Sequence, residues 1–424
     1  MNLFVVVGNY LIAKPLNTFL NILLLALGIA MITSLLLFSD QLERKVVANS
    51  KGIDLVVGAK GSPLQIILCN VFHIDFPSGN IKLRDTERIV NHPLIKAAIP
   101  LSLGDSYDKF RIVGTTRAYA DLYNSELESG KWFEHEMDAV VGANVASIAG
   151  LKISSEFSSS HGLTEGGHHH EKEFVVVGVL KKNNNVLDDL ILTPLESVWE
   201  VHEAHEERDE DEDHAGKHQE TDHEEIIGSN KEHYTLAPTV EKSDTTREIT
   251  SILLQYRSPM GALQLPRFIN SETNLQSASP AFESARLFSI LGIGVDVLMG
   301  FGYVMVIIAG LSIFIALYNS LRERQYDLAI MRTLGASRLK LFSVLVLEGC
   351  TLTALGTLIG LGLGHIVLVV FGSVVEKNGG IGGWEFSVME VYILLTSIGL
   401  GCVCSLLPAI KAYRVDIHKI LATG

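Results

Sequence analysis

Histidines and carboxylates are concentrated in one region of the chain, where together they could bind a metal ion. Ten of the fifteen histidines lie between residues 161 and 233. Residues 200–225 also carry thirteen acids against two bases, in a chain whose formal net charge is −14. Neutral imidazoles beside carboxylates are good ligands for zinc and other divalent transition metals. The candidate ligands are His168, His169, His170, His202, His205, His214, His218 and His223.

The spacing of these histidines is not that of a structural zinc site, because no cysteine accompanies them and no fixed ligand spacing occurs. Three interpretations stay open: a labile metal site, a segment that gains charge between about pH 7 and pH 5, and a solvated acidic linker. The acidic composition also predicts that the insert at residues 200–233 is disordered when nothing is bound.

The sequence lacks the motifs of nucleotide-hydrolysing enzymes and of the common hydrolases. No Gly-x-x-x-x-Gly-Lys-Ser/Thr phosphate loop occurs, and residues 58–62 have neither its spacing nor the helix that follows it. No Ser/His/Asp set, metalloprotease helix or pair of glycosidase-like carboxylates stands out. We therefore expect a non-catalytic chain that binds no cofactor for catalysis, and we expect no nucleic-acid partner.

Long apolar segments make up much of the chain, whose hydrophobic content is 47%. A helix of about 20 apolar residues crosses the ~30 Å hydrocarbon core of a bilayer. Four segments reach that length, and the first is longer than the apolar region of a secretory signal, which is about 7–15 residues. We predict transmembrane helices at residues 16–39, 288–318, 341–371 and 391–412.

The distribution of lysine and arginine predicts the orientation of these helices. Residues 319–340 carry five bases against two acids, whereas residues 372–390 carry three acids and one base. We therefore expect residues 319–340, the N-terminal segment 1–15 and the tail 413–424 to be cytoplasmic. The loop 372–390 and the long segment 40–286 should lie on the other side of the membrane.

Residues 40–286 are numerous enough for a domain with its own core. Apolar segments bounded by turn residues predict strands, and helices are expected near residues 85–91 and at both ends of the domain. The predicted strands are Asp54–Val57, Phe110–Val113, Ala139–Val141, Phe174–Leu180, Leu190–Leu192 and Ile249–Tyr256. The expected fold is a membrane protein with four transmembrane helices and a large extracytoplasmic α+β domain between helices 1 and 2.

The predicted cytoplasmic loop contains a short amphipathic helix. Gly335 is placed to end this helix in a left-handed conformation. An apolar helix face at the edge of the membrane needs a partner, whereas the alternative, an ordinary basic turn, needs no such face. The apolar positions at helical spacing are Tyr326, Ala329, Ile330 and Leu334.

This loop resembles the coupling helix of the FtsX-like permease family, which docks on an ATPase subunit. Asp327 stands where the family more often has Glu, and Ile417 stands where the family's C-terminal motif usually has proline. Stretches of residues 54–63, 130–151 and 174–202 look like the MacB-type periplasmic core domain. The residues implied in coupling to the ATPase are Arg324, Asp327, Ile330, Arg332, Gly335 and Ala336.

The resemblance implies the permease subunit of an ABC transporter in the bacterial inner membrane, with its large domain in the periplasm. The implied partners are a cytoplasmic ABC ATPase that binds the ATP, a second permease subunit in a homodimer or heterodimer, membrane lipids and a periplasmic protein. We expect movement of the external domain to act on an envelope cargo such as a lipoprotein, a peptide or a partner protein. The competing function is a transmembrane regulator that signals to an envelope enzyme without moving cargo.

The third predicted span contains Gly356, Gly360 and Gly364 on one helical face. Small residues at this spacing let another helix approach closely, either within one subunit or across a dimer. Glu348, near the cytoplasmic start of the same span, should reach the interface or pair with a base such as Lys340, because an unpaired acid is costly in the membrane.

Overall fold

The computed structural model describes residues 3–161, 169–201, 247–375 and 386–413. The chain divides into two units. Met1–Glu43 and Ser289–Gly424 form a helical unit, and Arg44–Phe288 form an α+β domain. The order of the elements along the chain is therefore one long apolar helix, a large mixed domain, and three more long apolar helices. This confirms the predicted fold class.

Four helices in the described part of the chain are long and apolar enough to cross a membrane. They contain the four predicted spans and extend beyond them. Two shorter helices accompany them, α1 (Leu3–Ala13) and α10 (Gln325–Thr333). The four long helices are α2 (Pro15–Asn49), α9 (Pro280–Glu323), α11 (Arg338–Val375) and α12 (Val388–Tyr413).

The helical unit contains two buried apolar clusters. Proline begins both α2 and α9, where its missing N–H costs no hydrogen bond. One cluster joins α2, α9 and α11 and consists of Leu25, Ile29, Ala309, Ile313, Leu317 and Leu352. The other joins α9, α11 and α12 and consists of Leu321, Leu341, Leu345, Ala409 and Ala412.

The α+β domain is built on a mixed sheet. Among the described residues the sheet has ten strands in the order β12-β1-β11-β3-β4-β9-β6-β8-β5, and β7 pairs with β3 and β8. β2 and β10 form a separate two-stranded sheet. The strands are β1 (Leu55–Ala59), β2 (Ile81–Lys82), β3 (Ile95–Tyr107), β4 (Phe110–Gly114), β5 (Leu127–Gly130), β6 (Asp138–Val141), β7 (Glu156–His161), β8 (His169–Leu180), β9 (Leu190–Thr193), β10 (Glu248–Ile249), β11 (Ser251–Tyr256) and β12 (Leu275–Ala278).

Helices pack beside this sheet, and a 3-10 turn at Val186–Asp189 precedes β9. The pairs β4–β9 and β6–β8 are parallel, and the other pairs in the large sheet are antiparallel. The helices are α3 (Pro63–Asn70), α4 (Leu83–Val90), α5 (Arg117–Leu122), α6 (Ala143–Ala149), α7 (residues 195–201) and α8 (Met260–Glu272).

Both faces of the sheet are buried at β1. Val56 lies in one apolar cluster, and its neighbours Leu55 and Val57 lie in another. Side chains alternate between the two faces of a strand, so burial of both faces produces a continuous apolar run rather than an alternating pattern. This explains why β1 was predictable as a short apolar segment.

The six predicted strands are confirmed as parts of β1, β4, β6, β8, β9 and the pair β10–β11, which Thr250 separates. The predicted helix at residues 85–91 is α4, and the helices predicted at both ends of the domain are parts of α2 and α9. The acidic insert lies outside the described residues from residue 202 onward.

Candidate functional site

The predicted left-handed end of α10 is present at Gly335, whose φ is +97°. The Gly335 N–H donates to the Arg332 carbonyl at 3.1 Å, and the Ala336 N–H donates to the Met331 carbonyl at 3.0 Å. These two bonds form the Schellman motif, which satisfies carbonyl groups that a helix C-terminus otherwise leaves unpaired. A side chain at Gly335 would favour a negative φ, so glycine gives the turn its shape.

Ser337 begins the next helix directly after this turn. Its hydroxyl accepts the Lys340 N–H at 3.3 Å, which is the hydrogen bond of a serine N-cap. The run Gly335-Ala336-Ser337 therefore ends α10 and starts α11 within three residues. The position of α10 relative to α11 is consequently fixed by hydrogen bonds as well as by apolar contacts.

Apolar contacts hold one face of α10 against the helical unit, and its other face is exposed. Ala329 is fully buried, and Met331 packs on the cluster around Leu321 and Leu341. The prediction that Ala329 belongs to the exposed apolar face is therefore wrong. The exposed apolar strip consists of Tyr326, Ile330 and Leu334, with exposed fractions of 52%, 38% and 82%.

Arg324 lies beneath this helix rather than on its surface. Its side chain is 14% exposed, its guanidinium lies 3.9 Å from the centre of the Tyr10 ring, and its Nη2 donates to the Tyr10 carbonyl at 3.4 Å. Its Nη1 lies 3.9 Å from Oε1 of Glu348, which is buried. Glu348 thus pairs with a base as expected, but the base is Arg324 and not Lys340.

The other predicted coupling residues lie in or next to α10. Arg332 is half-buried in the last turn, and Ala336 is half-buried after the glycine. Asp327 lies in the first turn of the helix, and its side chain is outside the described part of the structure. The predicted residues therefore come together in one short segment, in which Ile330 belongs to the exposed strip.

The glycine face of α11 packs on α2 of the same chain. A Cβ atom built on Gly360 would lie 2.7 Å from the Ile29 Cβ, and one built on Gly364 would lie 3.0 Å from the Thr33 Cβ. At Gly356 the same construction gives 2.9 Å to the Leu25 side chain. Of the two interpretations of this face, packing within one subunit is the one that the structure contains.

Sequence reasoning missed a buried polar pair between α11 and α12. The Nε2 atom of His365 lies 3.2 Å from the Oε2 atom of Glu390, and both side chains are buried. Oε1 of Glu390 accepts the Ser387 N–H at 2.9 Å. Glu390 lies in the predicted external loop 372–390, so only the rule that an ionisable residue in an apolar span needs a partner could have indicated the pair.

A cavity of about 250 Å³ lies beside Glu390. Apolar residues of α2 and α12 line it together with Thr33, Asp40 and Glu43. Thr33 is 1% exposed, and its hydroxyl has no hydrogen-bond partner among the described residues. Glu390, the acidic member of the pair with His365, therefore borders a small and mostly apolar cavity within the helical unit.

Two protein-family models match this chain. The model of the MacB-like periplasmic core domain matches residues 18–237, about half of the chain. The model of the FtsX-like permease C-terminal region matches residues 299–417, which include α10 and the whole of α11. The chain belongs to the FtsX/MacB-type permease family. The permease is thus a membrane subunit of the ABC-transporter type, in a family whose members associate with an ABC ATPase and are generally non-catalytic.

The permease is also similar to solved structures of low sequence identity. One is the periplasmic region of MacB from Actinobacillus actinomycetemcomitans, with 11% identity, a TM-score of 0.33, and coverage of 57% of the permease and 97% of that chain. Another is the extracellular domain of the ABC-type transporter YknZ from Gram-positive bacteria, with 11% identity, a TM-score of 0.29, and coverage of 54% and 99%. No curated protein matches the permease significantly.

Most of the predicted metal ligands of the permease lie outside the described residues. His169 and His170 form the start of β8. The other six, which are His168 and the five histidines between residues 202 and 223, lie outside the described residues. The described residues contain no group of three or more histidine, cysteine or acidic side chains placed to hold a metal ion. The metal site stays a prediction.

Proposed function

We propose that the permease couples ATP hydrolysis by a separate ABC ATPase to movement of the α+β domain, from a position in the bacterial inner membrane. The observation that carries this proposal is the exposed apolar strip on α10, between the long apolar helices α9 and α11. An apolar helix face of this kind binds into a groove on a partner protein. The ATPase would occupy this strip on the cytoplasmic side.

The long helices give a physical route for transmitting the movement. α9 has 44 residues, about 66 Å of helix at about 1.5 Å per residue, which exceeds the ~30 Å of a hydrocarbon core. α2 and α9 each begin in one structural unit and end in the other without a break in the helix. A displacement at the cytoplasmic end of α9 would therefore reach the α+β domain through continuous backbone hydrogen bonds.

Four spans per subunit are too few to enclose a wide channel. We therefore infer that the permease exerts force on an envelope cargo, such as a lipoprotein, a peptide or a partner protein, and works as a homodimer or with a related permease. In this proposal the large domain is periplasmic. A regulator that signals to an envelope enzyme would use the same coupling and differ in its external partner.

We also propose that the histidine-rich segments bind a labile zinc ion or another divalent transition metal. The support is compositional: histidines and acids occur close together in residues 200–225. Imidazole must be neutral to coordinate a metal, so binding would depend on pH. Metal binding would report metal status to the transport machine without the metal being its cargo.

The coupling is tested by stimulated ATP hydrolysis with the permease and its ATPase in proteoliposomes. Gly335→Pro should abolish the stimulation, because proline requires a φ near −65° and lacks the N–H that donates to Arg332. Asp327→Lys should do the same by reversing a charge on α10. Gly335→Asn is the matched control and should retain activity, since asparagine tolerates the left-handed conformation. Wild-type turnover in both Gly335→Pro and Asp327→Lys would contradict the proposal.

A further inference from the structure

Arg111 is buried in the α+β domain, and no acidic side chain among the described residues forms a salt bridge with it. It lies on β4 and is 6% exposed. Its Nη1 donates to the Sγ of Cys69 at 3.8 Å, while its Nε and Nη2 have no hydrogen-bond partner among the described residues. Arginine stays protonated inside proteins, so a full positive charge is enclosed beside a neutral thiol.

Burying an unpaired charge is costly, and structures normally compensate it with an opposite charge or with hydrogen bonds. The two unpartnered nitrogens of Arg111 are the ones whose N–H groups point in parallel along one edge of the guanidinium. That edge accepts a carboxylate with two parallel hydrogen bonds, which is the geometry of bidentate arginine–carboxylate pairs. The unpartnered edge thus has the geometry to bind an anion with two neighbouring oxygens.

A second buried nitrogen near Arg111 also lacks a partner. His73 Nε2 lies 2.9 Å from the Tyr119 hydroxyl, whereas His73 Nδ1 is buried with no hydrogen-bond partner among the described residues. Burial, with the nearby charge of Arg111, lowers the pKa of His73 to about 3, so the ring is neutral at pH 7. The carboxyl of Asp75 accepts the Phe76 N–H at 2.8 Å.

The segment between α3 and β2, residues 71–80, covers this cluster. His73 has a φ of +54°, which is uncommon for a residue other than glycine. The Phe76 ring lies 5.8 Å from the Arg111 guanidinium, yet Phe76 is 54% exposed and Ile74 is 71% exposed. Strained backbone and poorly buried apolar side chains are features of segments that open locally, and opening of this loop would give access to Arg111.

We propose that the α+β domain binds a carboxylate at Arg111, through the Nε and Nη2 edge and beneath residues 71–80. The ligand class is a small organic carboxylate or the C-terminal carboxylate of a peptide. Binding would neutralise the buried charge and hold the loop closed. This site is separate from the α10 strip and does not depend on coupling to an ATPase.

Cys69 reports on the site because it contacts Arg111 and is 1% exposed. The full-length permease in nanodiscs would carry alanine at its other cysteines, Cys350, Cys402 and Cys404. Iodoacetamide then labels Cys69 only when the loop opens, and the rate is read by mass spectrometry. A ligand that binds the closed form slows labelling by a factor of 1 + [L]/Kd, about tenfold when its concentration is ten times Kd.

The probes are sodium acetate and sodium chloride at equal ionic strength, and a blocked dipeptide with either a free or an amidated C-terminus. We expect acetate to slow labelling and chloride and the amidated peptide to leave it unchanged. Stronger protection by the free-acid peptide than by acetate would identify a peptide C-terminus as the ligand, and the reverse order a small carboxylate. Equal rates in acetate and chloride would overturn the proposal.

Substitutions test whether the protection of Cys69 by acetate depends on Arg111. Arg111→Met should abolish the protection by acetate, and Arg111→Lys should weaken it, because an ammonium cannot make two parallel hydrogen bonds. Arg117→Met is the matched control, since this arginine lies in the same domain with its side chain 63% exposed. Protection that persists in Arg111→Met would refute the site. The comparison of acetate with chloride uses the native arginine and decides the matter even if Arg111→Met does not fold.

Discussion

Replacing Leu334 with serine should weaken binding of the ATPase more than any other single substitution in the apolar strip. Leu334 is 82% exposed and Ile330 is 38% exposed, so Leu334 has more apolar surface still to bury. Full burial of such a side chain contributes about 1.5–3 kcal/mol, which scales to about 1.2–2.5 kcal/mol at Leu334 and about 0.6–1.1 kcal/mol at Ile330. At about 1.4 kcal/mol per tenfold, Kd should rise about 8- to 60-fold for Leu334→Ser and about 3- to 6-fold for Ile330→Ser.

The assay is equilibrium binding of the purified ATPase to the permease in nanodiscs, measured by biolayer interferometry. Leu263→Ser is the matched control, because Leu263 is 75% exposed on α8 of the α+β domain and lies outside the strip. It should leave Kd unchanged. Tyr326, at 52% exposed, should give an intermediate loss when it is replaced by serine.

The order of these losses in affinity tests whether exposed apolar area determines the affinity, and whether the ATPase binds at the strip. A loss at Ile330 larger than the loss at Leu334 would mean that exposed apolar area does not set the affinity. Unchanged Kd in all three strip variants would mean that the ATPase binds elsewhere. Equal losses in Leu334→Ser and Leu263→Ser would point to a general effect on the protein.

Three further predictions address packing, topology and metal binding. A Cβ atom at Gly360 would lie 2.7 Å from a side-chain carbon of α2, whereas a Cβ atom at Gly362 would have no neighbouring atom within 4 Å. Gly360→Ala should therefore lower the free energy of unfolding in mixed micelles by about 1–3 kcal/mol. Equal free energies for Gly360→Ala and Gly362→Ala would contradict this packing. A cysteine introduced at Ser229 should react with an impermeant maleimide in intact cells and one at Gln325 should not; the reverse pattern would refute the four-span orientation. Zinc should bind the full-length permease with an affinity that falls below about pH 6, and identical calorimetric heats after deletion of residues 203–231 would leave only the solvated-linker interpretation.

Elements that depend on local composition were predictable from the sequence. The long apolar helices and strands such as β9, which is buried along its length, follow from uninterrupted apolar runs. β3 was not predicted, although it has thirteen residues and lies near the centre of the sheet. It contains Pro100, Gly104 and Asp105, which interrupt the apolar pattern, and pairing with β11, β4 and β7 makes it a strand.

Polar contacts that join distant parts of the chain were not predictable. Arg324 was recognised as a motif residue, but its stacking on Tyr10 needs helices that are more than 300 residues apart in sequence. Arg111 lies inside a correctly predicted strand, yet nothing in its neighbours indicates that its side chain points into an apolar core. A single sequence shows how side chains alternate along a strand, but it does not show which side chains of other elements contact them.

Two sets of residues in the coupling segment have different physical roles. Arg324 and Gly335 carry the resemblance to the family, and they determine where α10 lies and how it ends. Tyr326 and Leu334 do not belong to the matched motif, and they supply most of the exposed apolar surface. Gly335→Pro should therefore abolish stimulated hydrolysis by changing the orientation of the helix, whereas Leu334→Ser should reduce affinity and leave the helix in place. At saturating ATPase concentration Leu334→Ser should regain stimulated turnover and Gly335→Pro should not. This difference would separate the effect of helix orientation from the effect of binding affinity.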